Sequence, residues 1–155
     1  WVHKFIVVIL LFLFSSVSVA KKFTEESITN LANQFVSAKN ARQQPDTTLS
    51  DIENYLSLFA DEFIDEHIKY NVVETDKNNL RKNMIAKMND KVISSSIKIS
   101  ELMIGSNVVF IKMIEIGKVK PAHLDKTIEY NVTNIVSLEF NDDGLIKHIR
   151  RHHGF

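Results

Sequence analysis

The feature that most limits how this chain can fold is the run of strand patterns that fills its second half, from about Val92 onward. Apolar residues there alternate with polar ones or form short β-branched stretches. Turn-forming residues at 105–107, 117–125 and 141–144 separate these stretches, and the last two junctions have the composition of hairpin turns. The pattern predicts four long strands: Ile97–Ile104, Val108–Ile116, Thr127–Phe140 and Leu145 to about His152.

Three helices are predicted ahead of these strands. Thr24 is placed to cap the first, in which apolar residues recur at helical spacing over Ile28–Val36. Ser50 and Glu53 have the spacing of a capping box for a second, shorter helix. Asp76 is placed to cap a third.

Between the second and third helices, residues Phe63–Val73 follow a period of two and predict a first strand. Helices first and a meander of antiparallel strands afterwards indicate an α+β fold. The helices are expected to pack on one face of a curved sheet.

The N-terminus has the pattern of a secretory signal peptide. Lys4 precedes the apolar run Phe5–Phe14, and small residues including Ser18 and Ala20 follow it. The run is shorter than the roughly 20 apolar residues that span a bilayer. We therefore expect residues 1–20 to be removed after Ala20, leaving residues 21–155 as one secreted or periplasmic domain with no stable membrane insertion.

Composition excludes several classes of function. Lys and Arg together number 19, as do Asp and Glu, so nothing favours a nucleic-acid partner. The absence of cysteine excludes thiol catalysis and cysteine-based metal sites. His152 and His153 are neighbours on a predicted strand and point to opposite faces, so with His148 they do not converge as metal ligands. No metal and no cofactor are expected.

Three stretches give the chain a family resemblance: Asn33–Asn40, Tyr55–Glu62 and Val136–Ile146. Together with the predicted order of helices and strands, these stretches make the chain resemble the nuclear transport factor 2-like superfamily. Within it, the resemblance is to the SnoaL-like and ketosteroid-isomerase-like groups. The resemblance implies a cone, in which three helices close the concave side of a strongly bent sheet around an apolar pocket. Such pockets host both enzymes and binding proteins.

The resemblance also implies which positions would be catalytic. The catalytic carboxylate of the steroid-isomerase group falls at His67 here, so a base is kept but its type is changed. The two oxyanion-hole donors of that group fall at Phe35 and Val136, and neither side chain can donate a hydrogen bond. Steroid isomerisation by that mechanism is therefore not expected.

His67, Asp65 and Glu66 are the candidate catalytic residues. The resemblance points His67 into the cone, where a neighbouring carboxylate would make it a general base. Strand alternation instead turns Ile64 and Ile68 inward and His67 outward. In that case Glu66 would face the core with a raised pKa. A third alternative leaves His67 and Glu66 as ordinary surface residues.

Two further carboxylates interrupt apolar stretches on predicted central strands. Glu115 lies between Ile114 and Ile116, and Glu129 precedes Tyr130. Both are expected to face solvent on the convex side of the sheet.

The leading functional hypothesis is an exported SnoaL-like domain that binds a small hydrophobic or aromatic molecule in its cone. An acid/base enzyme, such as an isomerase, cyclase or dehydratase, is the second. A homodimeric interaction module that uses Phe110 and Ile114 is the third, and a homodimer is compatible with all of them. The expected ligand-binding residues are Phe35, Tyr55, Phe59, Tyr70, Val136 and His148.

Overall fold

The structure is a computed structural model that describes residues 23–154. The expected signal peptide and its cleavage after Ala20 lie outside these residues and stay predictions. The helices are α1 (Glu25–Ala41), α2 (Leu49–Leu56) and α3 (Lys77–Lys87), and the strands are β1 (Phe59–His67), β2 (Val72–Glu74), β3 (Lys91–Ile104), β4 (Val108–Lys120), β5 (Ile128–Phe140) and β6 (Ile146–Arg151).

The six strands form one sheet in the order β2-β1-β6-β5-β4-β3. Only the β1–β6 pair among these is parallel. Three helices on a mostly antiparallel sheet are the α+β architecture that the sequence predicts, so the predicted fold class is confirmed.

The first and third helices begin where they were predicted. Thr24 caps α1 in a capping box with Ser27, and Asp76 caps α3 by accepting from the backbone N–H of Asn78. Within residues 23–154, no helix combines the length and the apolar character that crossing a membrane requires.

The predicted cap of the second helix is wrong. The capping box is Thr48 with Asp51, whose Oδ2 accepts from the Thr48 backbone N–H at 2.8 Å, and it starts α2 before Ser50. Glu53 is instead bound by Arg81 of α3, with N–O distances of 2.6 and 3.0 Å. This contact ties α2 to α3, so Glu53 is not available as a cap.

The predicted strand Phe63–Val73 is two strands with a turn between them. β1 starts earlier, at Phe59, and ends at His67, after which a single 3₁₀ turn leads to Asn71. Asn71 has a φ of 51°, a left-handed conformation that Asn tolerates better than most residues. The chain then reverses into β2, which pairs antiparallel with β1.

Four aromatic rings fill the interior between the helices and β1. Phe35, Tyr55, Phe59 and Phe63 follow one another at centroid separations of 5.7, 5.3 and 5.3 Å. All four side chains are buried. This part of the concave side is therefore packed core, stabilised by area burial and by tilted ring contacts.

Candidate functional site

A buried ion pair crosses the parallel strands β1 and β6. Arg151 donates from Nε to Asp65 Oδ1 and from Nη2 to Asp65 Oδ2, both at 2.8 Å. Nη2 also donates to the Tyr55 hydroxyl at 3.0 Å. The side chains of Asp65 and Arg151 are 1% and 10% exposed. Asp65 is thus fully engaged by Arg151, and both oxygens of its carboxylate are satisfied.

His67 lies on the same face of β1 as Asp65, as the family resemblance implies. Its Nε2 is 3.7 Å from Asp65 Oδ1, beyond hydrogen-bond length, and its ring packs on His153 at a centroid distance of 5.7 Å. Burial, and then the charge of Arg151, lower the pKa of His67 below its ordinary 6.5, although Asp65 acts in the opposite direction. The imidazole is neutral at pH 7 and able to accept a proton.

The alternation-based prediction for β1 is wrong, because Ile64 and Ile68 are exposed to solvent. Asp65 takes the buried position because Arg151, 86 residues later, supplies its counter-charge. A pattern of apolar residues within one strand contains no information about such a partner.

Glu66 points to the opposite face of β1 from Asp65. Its Oε2 accepts from Arg150 Nε at 2.7 Å and lies 2.7 Å from His148 Nε2. Hydrogen bonding to His148, and then to Arg150, lowers the pKa of Glu66. The alternative in which Glu66 faces the core with a raised pKa is therefore wrong. Catalysis by His67 or Asp65 stays a prediction.

The rings of Phe35, Tyr55 and Phe59 are in contact with one another, but the six expected ligand-binding residues do not form one group. Four of them, Phe35, Tyr55, Phe59 and Val136, are buried in the core. Tyr70 is 61% exposed and packs edge-on against His153 at 5.1 Å. His148 is held by Glu66 on the other face of the sheet. None of the six lines the cavity described next.

The cavity of interest opens between the end of α1, the end of α3 and the sheet. We call it the α3 cavity, and its volume is about 380 Å³. One part of its lining is apolar: Met84 and Met88 near the end of α3, Val92 on β3, and Val119 on β4, with Tyr130 beside them. The rest of the lining is mainly polar, with Gln43, Gln44 and Thr47 beside four charged side chains: Arg42, Lys87, Asp90 and Glu115.

Glu115 lies on the inner face of β4, and its expected position in solvent is wrong. It accepts from Lys39 Nζ at 2.8 Å and from Asn134 Nδ2 at 3.0 Å. Burial alone would raise the pKa of Glu115, but the charge and hydrogen bonds of Lys39, with the hydrogen bond from Asn134, lower it. Burial also lowers the pKa of Lys39 to about 8, against the attraction of Glu115. At pH 7 both groups are charged and form a buried ion pair.

Arg42 is one of the charged residues that line the α3 cavity. Its guanidinium carbon lies 4.4 Å from the centre of the Tyr55 ring, a cation–π arrangement that holds the guanidinium against the ring. Arg42 Nε is buried and donates no hydrogen bond within residues 23–154. Among the same residues, neither Arg42 nor Lys87 forms an ion pair.

Sequence reasoning missed Lys39, Arg42 and Lys87, although a signal for Lys39 was present. Lys39 continues the buried face of α1, since it follows Phe35 by four residues and Ile28 by eleven. A lysine at such a position predicts a buried partner. No comparable local signal identifies Arg42 or Lys87, because their role depends on where α3 packs.

Comparisons with known proteins were made by sequence and by structure. No protein-family model matches the chain, and no curated protein matches its sequence. Solved structures do match. A protein described as a SnoaL-like polyketide cyclase, from Shewanella putrefaciens CN-32, superposes with a TM-score of 0.66 at 12% identity, over 84% of this chain and 81% of that one. The nuclear transport factor 2-like fold is therefore shown.

Two other solved structures that match the chain have the same fold but different described roles. A computationally designed 17-OHP binder matches with a TM-score of 0.61 at 14% identity, over 82% of this chain and 91% of that one. The epoxide hydrolase/cyclase-like enzyme SalBIII, which has a role in pyran ring formation in the polyether salinomycin, matches with a TM-score of 0.62 at 11% identity, over 84% of this chain and 92% of that one. At these identities the likeness concerns the fold alone.

Proposed function

We propose that this SnoaL-like domain binds a small hydrophobic or aromatic molecule, and that the α3 cavity holds it. The observation that carries the proposal is the cavity itself. Its volume of about 380 Å³ falls within the range of small-molecule pockets. Its lining is mixed: the apolar side chains can pack against a ligand, and the polar and charged ones can fix its orientation.

The apolar lining favours a flat or aromatic ligand. Met84 and Met88 have flexible thioether side chains that adapt to irregular shapes and make favourable contacts with aromatic rings. Tyr130 adds an aromatic surface next to Val92 and Val119. Together these side chains offer an apolar and aromatic surface to a ligand of one or two fused rings.

Binding is favoured over acid/base catalysis by the position of the candidate catalytic groups. His67 and Asp65 do not line the α3 cavity, and Asp65 is engaged by Arg151. A general base must reach the proton that it removes, at about 2.6–3.2 Å or through one water. Because His67 is not in the cavity lining, it has no direct contact with a ligand held there.

The proposal predicts that a neutral aromatic probe binds the α3 cavity. The fluorescent ketone prodan should show a saturable blue shift with the domain (residues 21–155). Val92→Trp should weaken this binding at least about tenfold, because the indole occupies space that the probe needs. Fluorescence titration measures both affinities.

The matched control is Ile93→Trp, which places the same side chain one residue later on the exposed face of β3. It should bind prodan like the unchanged protein. Far-ultraviolet circular dichroism shows whether each variant is folded. An absence of saturable binding to the unchanged protein, or equal loss in both variants, would refute the proposal.

We also propose that two copies of the domain associate through the outer face of β3–β5. Five large apolar residues are exposed there: Met103, Phe110, Ile114, Ile116 and Ile135. The ion pair between Lys112 and Glu101, at 2.7 Å, lies on the same strands. A face that carries both charges among apolar side chains suits a two-fold contact with its own copy.

If the domain dimerises through this patch of five exposed apolar residues, a charge introduced there should disrupt the dimer. Ile114→Lys should raise the dimer dissociation constant at least about tenfold, since each copy would then bring a charge into an apolar contact. Ile85→Lys on α3 is the control, because Ile85 has similar exposure outside the patch. Analytical ultracentrifugation measures the constants, and a monomeric unchanged protein at high concentration would contradict the proposal.

A further inference from the structure

The α3 cavity contains two cationic side chains without an anionic partner. Arg42 and Lys87 both line it, and neither forms an ion pair with any residue in the part of the chain that the structure describes. The Nε–H of Arg42 is buried and makes no hydrogen bond there either. A buried donor left unpaired costs free energy, so it marks a place where an acceptor would be favourable.

Two other carboxylates close to the cavity are already compensated by ion pairs. Glu115 is paired with Lys39 at 2.8 Å, and Asp65, behind the cavity, is paired with Arg151. Asp90 lines the cavity and accepts from the backbone N–H of Ala122 at 2.8 Å. Arg42 and Lys87 against Asp90 leave one uncompensated positive charge.

The pKa of Lys87 agrees with this excess of positive charge. Although part of Lys87 is exposed to solvent, its partial burial, followed by the charges of Arg42 and Arg151, lowers the pKa of Lys87, and Asp90 only partly opposes the shift. An anion placed between Arg42 and Lys87 would reverse this effect and stabilise both cations.

The orientation of Arg42 is also fixed. Its guanidinium is held against the Tyr55 ring at 4.4 Å, and Tyr55 is itself buried and bonded to Arg151. A planar guanidinium held in this way presents its N–H groups in a fixed direction. That arrangement suits the two oxygens of a carboxylate.

We propose that the natural ligand of the α3 cavity is an amphipathic monocarboxylate, with its carboxylate bound by Arg42 and Lys87. Its apolar or aromatic part lies against Met84, Met88 and Val92. One uncompensated positive charge matches a single carboxylate better than a phosphate dianion. This inference rests on the proposed function, since it assigns a ligand class to the same cavity.

The test is a competition against prodan with two matched compounds, 2-naphthoate and 2-naphthamide. They share the ring system and differ in charge. We expect naphthoate to displace prodan at about tenfold lower concentration than naphthamide at pH 7, because hydrogen bonds to ionised groups are about twice as strong as neutral ones. Added salt should reduce this ratio.

Two variants assign the preference to residues. Lys87→Gln and Arg42→Gln should each bring the ratio close to one. Lys82→Gln, on the same helix but outside the cavity lining, should keep it. Lys87 is solvent-exposed, so its variant is informative even if Arg42→Gln fails to fold.

The outcomes separate this inference from the proposed function. If prodan does not bind, the binding function itself fails. If prodan binds but naphthoate and naphthamide compete equally, the proposed binding function is retained and the carboxylate inference is overturned. A preference for naphthoate that survives in both Lys87→Gln and Arg42→Gln would also overturn it, since the anion would then be bound elsewhere.

Discussion

Replacing Arg151 by methionine is expected to lower the free energy of unfolding by about 3–5 kcal/mol, because it leaves a buried carboxylate without its counter-ion. Asp65 is 1% exposed on its side chain and receives two hydrogen bonds from Arg151. The Tyr55 hydroxyl loses its donor in the same variant. Methionine keeps much of the volume, so the loss reports charge and hydrogen bonding rather than a cavity.

Arg150→Met is the matched control. Arg150 is the preceding residue of β6, its side chain is 52% exposed, and it pairs with Glu66 on the other face of the sheet. An exposed pair of this kind contributes about 0–1 kcal/mol. Equilibrium urea unfolding followed by circular dichroism measures both variants. The interpretation would be abandoned if Arg151→Met cost no more than Arg150→Met.

A double variant separates the ion pair from the packing around it. Arg151→Met combined with Asp65→Leu removes both charges and should recover most of the loss, since no buried charge stays unpaired. If the double variant were as unstable as the sum of the two single changes, the cost would come from packing and not from the pair.

The succession of elements could be predicted from the sequence because it depends on local patterns. Periodicity, caps and turn residues are sufficient for α1, α3 and the strands after Val92. They were not sufficient for α2, where Thr48–Asp51 and Ser50–Glu53 are overlapping patterns of the same type. Arg81 of α3 decides between them by binding Glu53, and that contact depends on tertiary packing.

The site was less predictable, because it depends on contacts between residues far apart in the chain. Phe35, Tyr55, Phe59 and Val136 do lie inside the fold, as expected, but the aromatic rings among them contact one another instead of lining a pocket. Whether rings fill a cone depends on summed volumes that no single pattern contains. The cavity therefore lies at α3, where no sequence pattern predicted one.

The ion pair between Lys39 and Glu115 predicts the second large effect. Lys39→Met alone should lower the free energy of unfolding by about 3 kcal/mol or more, because Glu115 would stay buried with Asn134 as its single hydrogen-bond donor. Adding Glu115→Leu should recover most of this loss, as both charges are then absent. Lys147→Met removes an exposed pair with Glu139, at 2.9 Å, and as the control should cost about 1 kcal/mol or less.

The pH dependence of the same pair tests the lowered pKa of Lys39. The folded protein releases this proton at about 8, whereas the unfolded chain keeps it up to its ordinary 10.5. Between these values the unfolded state binds more protons, so the unchanged protein should gain stability relative to the Lys39→Met/Glu115→Leu variant as pH rises. Urea unfolding of both proteins at several pH values across this interval measures the difference. A difference that does not change with pH would mean that Lys39 keeps its ordinary pKa, and that its burial costs less than its position on α1 implies.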